Sequence, residues 1–324
     1  MDFLNLAQDL RTRKIRPRPL KHDRVRSRAR NWSCPLTVCV AALCSWSPGN
    51  LMLVGVSDKM LTASDLEFEP QQSKIYVFDK DMVALLSGDM TDQISICNAT
   101  ASRFAGTRPA SVKDLANTYA EEFATYRSMI AEAKYLRPLG LTTDKFINDN
   151  KKLRQSLASD LADNLLNCSL NAETIIIGKD HLGYHIFVVL DPGVAKCCDS
   201  IGFAAIGYGQ RHAESLLMTA RYSRQWPWQR ALLLTYAAKK RAEFAPGVGG
   251  STDFFMVGAH GYSNVSEDVF AETQQAYEKF NKGEHALAEK TFTEYEKRMS
   301  NLVATYVKKQ SLQASATTSS SDQT

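Results

Sequence analysis

No stretch of this 324-residue sequence comes near the roughly 20 consecutive apolar residues that span a bilayer, and no membrane partner is expected. The seven cysteines (34, 39, 44, 97, 168, 197 and 198) are odd in number and contain no C-x-x-C pair. That pattern argues against a disulfide framework or a structural zinc site and for a reducing compartment, hence a cytoplasmic protein. The six histidines supply no H-x-x-x-H pair on one helix, since His181 and His185 lie across a hairpin turn. There is no P-loop, no G-x-G-x-x-G and no G-x-S-x-G, so neither a cofactor nor a metal is expected. Positive charge is also missing from the body of the chain. Residues 1–31 carry ten Lys/Arg against three Asp, and the remainder carries 29 basic against 32 acidic residues. A nucleic-acid partner would rest on that arm alone, and none is expected for the folded domain.

What is present is concentrated between Leu36 and Gly88. LTVCVAAL (36–43), LMLVGVSDKMLT (51–62), SKIYVF (73–78) and MVALLSGDMTD (82–92) are apolar, β-rich runs split by the turns 47–50 and 79–81. Such runs predict an antiparallel sheet built of hairpins. Their few polar or small residues fall at the ends: Thr37 opens the first run, Asp58 ends the second, Lys74 opens the third and Gly88 ends the fourth. Read alone, each has a plain explanation. Thr37 is a good β-former, Asp58 suits a strand-end turn, Lys74 a solvated surface and Gly88 a tight turn.

Taken together and in order, these residues resemble the β subunits of the proteasome and their bacterial relatives among the N-terminal-nucleophile (Ntn) hydrolases. The spacings from Asp58 to Lys74 (16) and from Lys74 to Gly88 (14) match that family without a gap. Thr37 to Asp58 is longer by about one turn, which Ser47-Pro48-Gly49-Asn50 accommodates. The likeness runs more loosely over about 36–258. It implies that Thr37 is the nucleophile, acting once it is the first residue of the chain. Its own α-amine, with an ordinary pKa of about 7.7–8.0, would then be the general base. Lys74 would be buried beside it and paired with Asp58, and the Gly88 N–H would face the oxyanion, a donor worth about 3–4 kcal/mol. The same alignment puts Leu61, Thr62, Leu86 and Met90 on the substrate, with Leu61, Leu86 and Met90 as an apolar pocket for a large hydrophobic residue before the scissile bond. Cys34 and Cys39 are weaker candidates for a processed nucleophile, because neither keeps the strand-start position. The sequence also departs from the family. Tyr208, Ala245 and Val248 stand where active subunits carry Ser, Asp and Ser.

The basic arm 1–35, with Pro17 and Pro19 and no apolar signal core, is expected as a disordered tail, a targeting segment or a non-native extension. The last is favoured, because Leu36 sits where close relatives begin with Met-Thr and bacterial genes can start at Leu-type codons. Beyond Gly88 the periodicity predicts helices over 91–106, 111–136 (with Ser111 as N-cap) and 144–167. Strands follow at 172–180, 183–191 and 199–209, then helices at 210–224 and 228–244, and a strand at 253–259. An amphipathic helix over 266–310 carries Phe292, Tyr295, Met299, Leu302 and Tyr306, and 311–324 reads as a disordered tail. The order gives an α+β fold. The resemblance implies the αββα four-layer Ntn-hydrolase sandwich over 36–265, with the C-terminal helix added to it. The expected function is a threonine hydrolase cleaving peptide or amide bonds in a self-assembled homo-oligomeric ring. A catalytically silent scaffold subunit and a small-molecule amidase of the same fold are the alternatives.

Overall fold

The structure is a computed structural model and describes residues 37–63, 66–68, 73–105 and 107–318, with side chains for 37–60, 73–105, 107–149 and 151–302. The basic arm, including Cys34, and residues 319–324 lie outside the described residues.

Two five-stranded antiparallel sheets and seven α-helices make up the described chain, an α+β architecture. The strands of the first sheet are β1 (Cys39–Ser47), β2 (Asn50–Asp58), β10 (Phe203–Ile206), β11 (Thr252–Gly258) and β12 (Gly261–Asn264), ordered β10-β1-β2-β11-β12. The second sheet runs in sequence order through β5 (Ile75–Asp79), β6 (Met82–Ser87), β7 (Glu173–Asp180), β8 (Gly183–Leu190) and β9 (Val194–Cys197). A small hairpin, β3 (Leu61–Ala63) with β4 (Leu66–Phe68), stands apart from both.

Because side chains alternate along a strand, each sheet has two apolar faces to bury. Val38, Val40, Ala42 and Cys44 pack with Val54 and Val56 against α5 (Gln210–Thr219) and α6 (Trp228–Ala242). Met82, Ala84 and Leu86 turn to α1 (Met90–Arg103) and α2 (Val112–Tyr135). The intervening residues, Cys39, Ala41 and Leu43 on one sheet and Val83, Leu85, Ile175 and Ile177 on the other, share the apolar layer between the sheets. Helices therefore cover the outer face of each sheet. Asp89 caps α1 by accepting from the N–H groups of Thr91 and Asp92, and Ser111 caps α2 through Asp114.

Several boundaries differ from those the sequence suggests. The run 51–62 is not one strand, because the Asp58 carboxylate accepts the N–H of Met60 and turns the chain into the β3–β4 hairpin. The run 82–92 stops at Ser87, where Gly88 and the Asp89 cap start a helix instead. The predicted helix 144–167 is two helices, α3 (Thr143–Asp149) and α4 (Gln155–Leu166), with a 3-10 turn over Asn150–Lys152. The break lets Phe146 and Leu161 meet Leu136 at the end of α2. The last helix, α7 (Glu267–Thr318), continues past 310 into the expected tail. No Gly or Pro follows Gly283 to stop it.

Candidate active site

Thr37 and Val38 precede β1, held in line by backbone bonds from Asp58 N to Val38 O (3.1 Å) and from Gly209 N to Thr37 O (3.2 Å). Thr37 thus stands two residues before the strand that the sequence places it on. Asp58 closes β2, and Lys74, just before β5, is fixed through its carbonyl by the N–H of Leu86 at 2.9 Å. These three side chains converge although 37 positions separate Thr37 from Lys74. The Lys74 ammonium donates to the Thr37 hydroxyl and, at 2.9 Å, to Asp58 Oδ1. The Thr37 hydroxyl in turn donates to Asp58 Oδ1. All three are buried, with 2%, 0% and 2% of their surface exposed for Thr37, Asp58 and Lys74.

Asp58 is saturated. Its Oδ1 also accepts Val38 N at 3.0 Å, and its Oδ2 accepts Met60 N at 3.1 Å and Gly249 N at 3.0 Å. A carboxylate offers about four lone-pair sites. With its oxygens so engaged, Asp58 orients Thr37 and Lys74. Lys74 supplies the positive charge beside Thr37 Oγ, which stabilises negative charge that develops on that oxygen. The arrangement presents one oriented hydroxyl beside a cation. As long as Leu36 is joined to Thr37, the nitrogen of Thr37 is an amide and not a base.

The wall behind Thr37 is glycine by necessity. Gly207 has φ +87°, and a Cβ there would lie 2.4 Å from Thr37 O. Its N–H donates to Glu173 at 2.7 Å, which ties this turn to the start of β7. Gly88 has φ +116°, and a Cβ would meet Ala172 Cα and Asn171 O at 2.9 Å. It follows Ser87, which pairs with Glu173, but it is not among the hydrogen-bond partners of Thr37, Asp58 and Lys74.

The expected pocket residues are placed unevenly. Leu86 has no exposed surface and packs under α1 and α2, so it does not line an open pocket. Period-2 alternation turns it to the helix layer together with Met82 and Ala84. Met90 is half-buried at the start of α1. Leu61 and Thr62 fall on β3, and their side chains lie outside the described residues. Tyr208 is 46% exposed, and Ala245 and Val248 are buried in the apolar layer with α6, so none of the three brings a polar group to the centre. Cys39 sits close by but is fully buried. Burial pushes its thiol far above the ordinary cysteine value despite the nearby Lys74, which makes it a poor nucleophile.

Two contributors have no counterpart in the sequence reading. Glu173 holds Gly207, and Lys239 on α6 donates to the carbonyls of Gly249 and Gly250, both at 2.8 Å. Nothing local in the sequence marks Glu173. Lys239 belongs to a Lys-Lys-Arg run that looks like a solvated face, yet it falls in register with Leu232, Thr235 and Ala242, which are buried. That helical register was the available signal. Among the described residues no group of three or more His, Cys, Asp or Glu is arranged to hold a metal ion. No described helix is long and apolar enough to cross a membrane. Comparison of the sequence with protein-family models and with curated proteins gives no match.

Proposed function

We propose that this protein is a proteasome-like threonine hydrolase of the Ntn type, with the αββα sandwich of that class, cleaving peptide or other amide bonds once Thr37 is its first residue. The observation that carries the reading is the Thr37 hydroxyl held between the Lys74 ammonium and the Asp58 carboxylate. In the reaction, Thr37 Oγ adds to the substrate carbonyl carbon and its proton passes to the free α-amine. The C–N bond breaks as the leaving amine takes that proton, and water then hydrolyses the Thr37 ester. Lys74 stabilises the alkoxide character of Oγ, and Asp58 fixes both partners.

A silent, proteasome-like scaffold subunit is the second reading. It is favoured by one specific feature: Tyr208, Ala245 and Val248 carry no polar support to the nucleophile. The two are separated by N-terminal sequencing of purified protein combined with hydrolysis of fluorogenic peptides bearing Leu, Tyr, Glu or Arg before the scissile amide. The hydrolase reading predicts cleavage by chains that begin at Thr37, abolished in Thr37→Ala, with Leu and Tyr preferred. Active chains that begin upstream of Thr37 rule out the free-amine mechanism. Inactive chains that begin at Thr37 favour the scaffold.

A further inference from the structure

Among the described residues, Lys74 and Lys239 are the two lysines with no more than 2% of their surface exposed. Lys74 belongs to the Thr37 cluster, whereas Lys239 lies on α6, beneath the loop that leads into β11. A buried ammonium is costly unless all its protons find acceptors. Those of Lys239 do, on Gly249 O (2.8 Å), Gly250 O (2.8 Å) and Glu243 Oε1 (2.6 Å). Loss of hydration still holds its pKa below the ordinary lysine value, against the pull of Glu243. A lysine placed only to pack a helix would not be aimed at two successive carbonyls of a turn.

That turn carries a second contact. The N–H of Gly249 donates to Asp58 Oδ2 at 3.0 Å, from the side opposite Thr37 and Lys74, which meet Oδ1. The Gly249–Gly250 segment is therefore clamped between a buried ammonium and a buried carboxylate. The neighbouring packing leaves the loop little freedom, since a Cβ on Gly209 would lie 2.7 Å from Ala242 Cβ and 3.2 Å from Val248 Cγ2. We infer that Lys239 is a positioning residue: by holding the carbonyls of Gly249 and Gly250 it aims the Gly249 N–H at Asp58, and so sets the carboxylate that orients Thr37 Oγ and Lys74. It takes over, from the helix side, a supporting role that Ala245 and Val248 have no polar atoms to perform. Its consequence for rate rests on the hydrolase reading, whereas its effect on Asp58 rests on the hydrogen bonds alone.

Two measurements on Lys239→Met, Lys239→Gln and Lys239→Arg, with the change Arg241→Gln at an exposed position of α6 as control, keep these apart. In the full chain, amide hydrogen exchange at Val38 and Gly249, two of the three backbone donors to Asp58, one on each carboxylate oxygen, should speed up about tenfold in Lys239→Met. Amides of β6 and β7 should be unchanged, and Arg241→Gln should match wild type throughout. Lys239→Gln, which keeps two N–H donors, gives the same reading in milder form should the Met variant fail to fold. Lys239→Arg should restore protection at both amides. In chains confirmed to begin at Thr37, kcat on a Leu fluorogenic peptide should fall by up to about 100-fold, with KM within about twofold. Unchanged exchange at Val38 and Gly249 in a folded Lys239→Met or Lys239→Gln variant overturns the proposal. So does loss of kcat only in step with loss of folded protein. Wild-type chains that begin at Thr37 and cleave nothing would remove the hydrolase reading while the exchange result still decides the role of Lys239.

Discussion

At Asp58 five donors meet one carboxylate: Thr37 Oγ, Lys74 Nζ and the N–H groups of Val38, Met60 and Gly249. Asn has nearly the same shape but must present an NH2 group at one of the two oxygen positions. At Oδ2 it would face the Met60 and Gly249 donors, and at Oδ1 it would face Lys74. Either way a buried donor opposes a buried donor and Lys74 loses its counter-charge. Asp58→Asn should therefore destabilise the fold by about 3–5 kcal/mol, read as a lower urea midpoint at constant slope. A change within the scatter of surface substitutions would mean that the cluster is solvated in solution. The same residues show what was legible in advance. Asp58 and Lys74 stand out because a charge at the end of an apolar run is conspicuous, and their order with Thr37 and Gly88 adds weight. Glu173 acts from 136 positions beyond Thr37 through a glycine N–H, and no local pattern announces such a contact.

At the scale of elements, Asp180 at the end of β7 ties a hairpin to a helix. Its side chain is 3% exposed. It accepts the N–H of Val112 at the start of α2 (2.9 Å) and of Leu182 in the β7–β8 turn (2.7 Å), and His185 Nε2 lies 3.2 Å away. Burial acts to raise its carboxyl, but these bonds outweigh it and hold the group below the ordinary aspartate value. As pH falls the unfolded chain takes up this proton first. The stabilisation is thus complete above the ordinary aspartate range and is lost as pH drops through the lowered folded value. Asp180→Asn should cost about 1–3 kcal/mol at pH 7, and its urea midpoint should converge with that of wild type in acid. A difference independent of pH would assign the effect to shape and not to charge.

Helix α7 poses a different problem. Val269, Phe270 and Tyr277 pack onto the α6 layer, while Leu287, Phe292, Tyr295, Met299 and Leu302 remain between 39% and 66% exposed. The steps 292, 295, 299 and 302 alternate three and four, the spacing of a helix–helix seam. At about 1.5 Å per residue the 52 residues extend about 78 Å, more than a single sheet layer can cover. We propose that a second copy of the chain covers this seam with its own stripe of three-and-four spacing. Light scattering at micromolar concentration should give a particle well above 36.1 kDa, and Met299→Glu with Leu302→Glu should lower its mass. A wild-type monomer would contradict this. The stripe was legible because its period is local. The split between α3 and α4 was not, because it depends on where the chain must fold back against α2.

For the whole molecule, the layers follow from a simple rule. Each strand alternates one apolar set toward the partner sheet with another toward helices, as β1 and β6 show residue by residue. Both sheets deliver their polar strand ends to one place, where Thr37, Asp58 and Lys74 meet. The pairing of β1 with β10 and of β2 with β11 brings in Gly207 and Gly249 from far along the chain. The fold class could be read from run lengths and turns, but strand order could not. Whether the Thr37 hydroxyl is a nucleophile made competent by a free α-amine is decided by locating a covalent acyl adduct. Purified protein is treated with a β-lactone carrying a hydrophobic side chain, and the modified residue is identified by tandem mass spectrometry. One ester is expected, on Thr37, in chains whose first residue is Thr37, and none in Thr37→Ala. An adduct on another residue, or on Thr37 in chains that still carry Leu36, would contradict it.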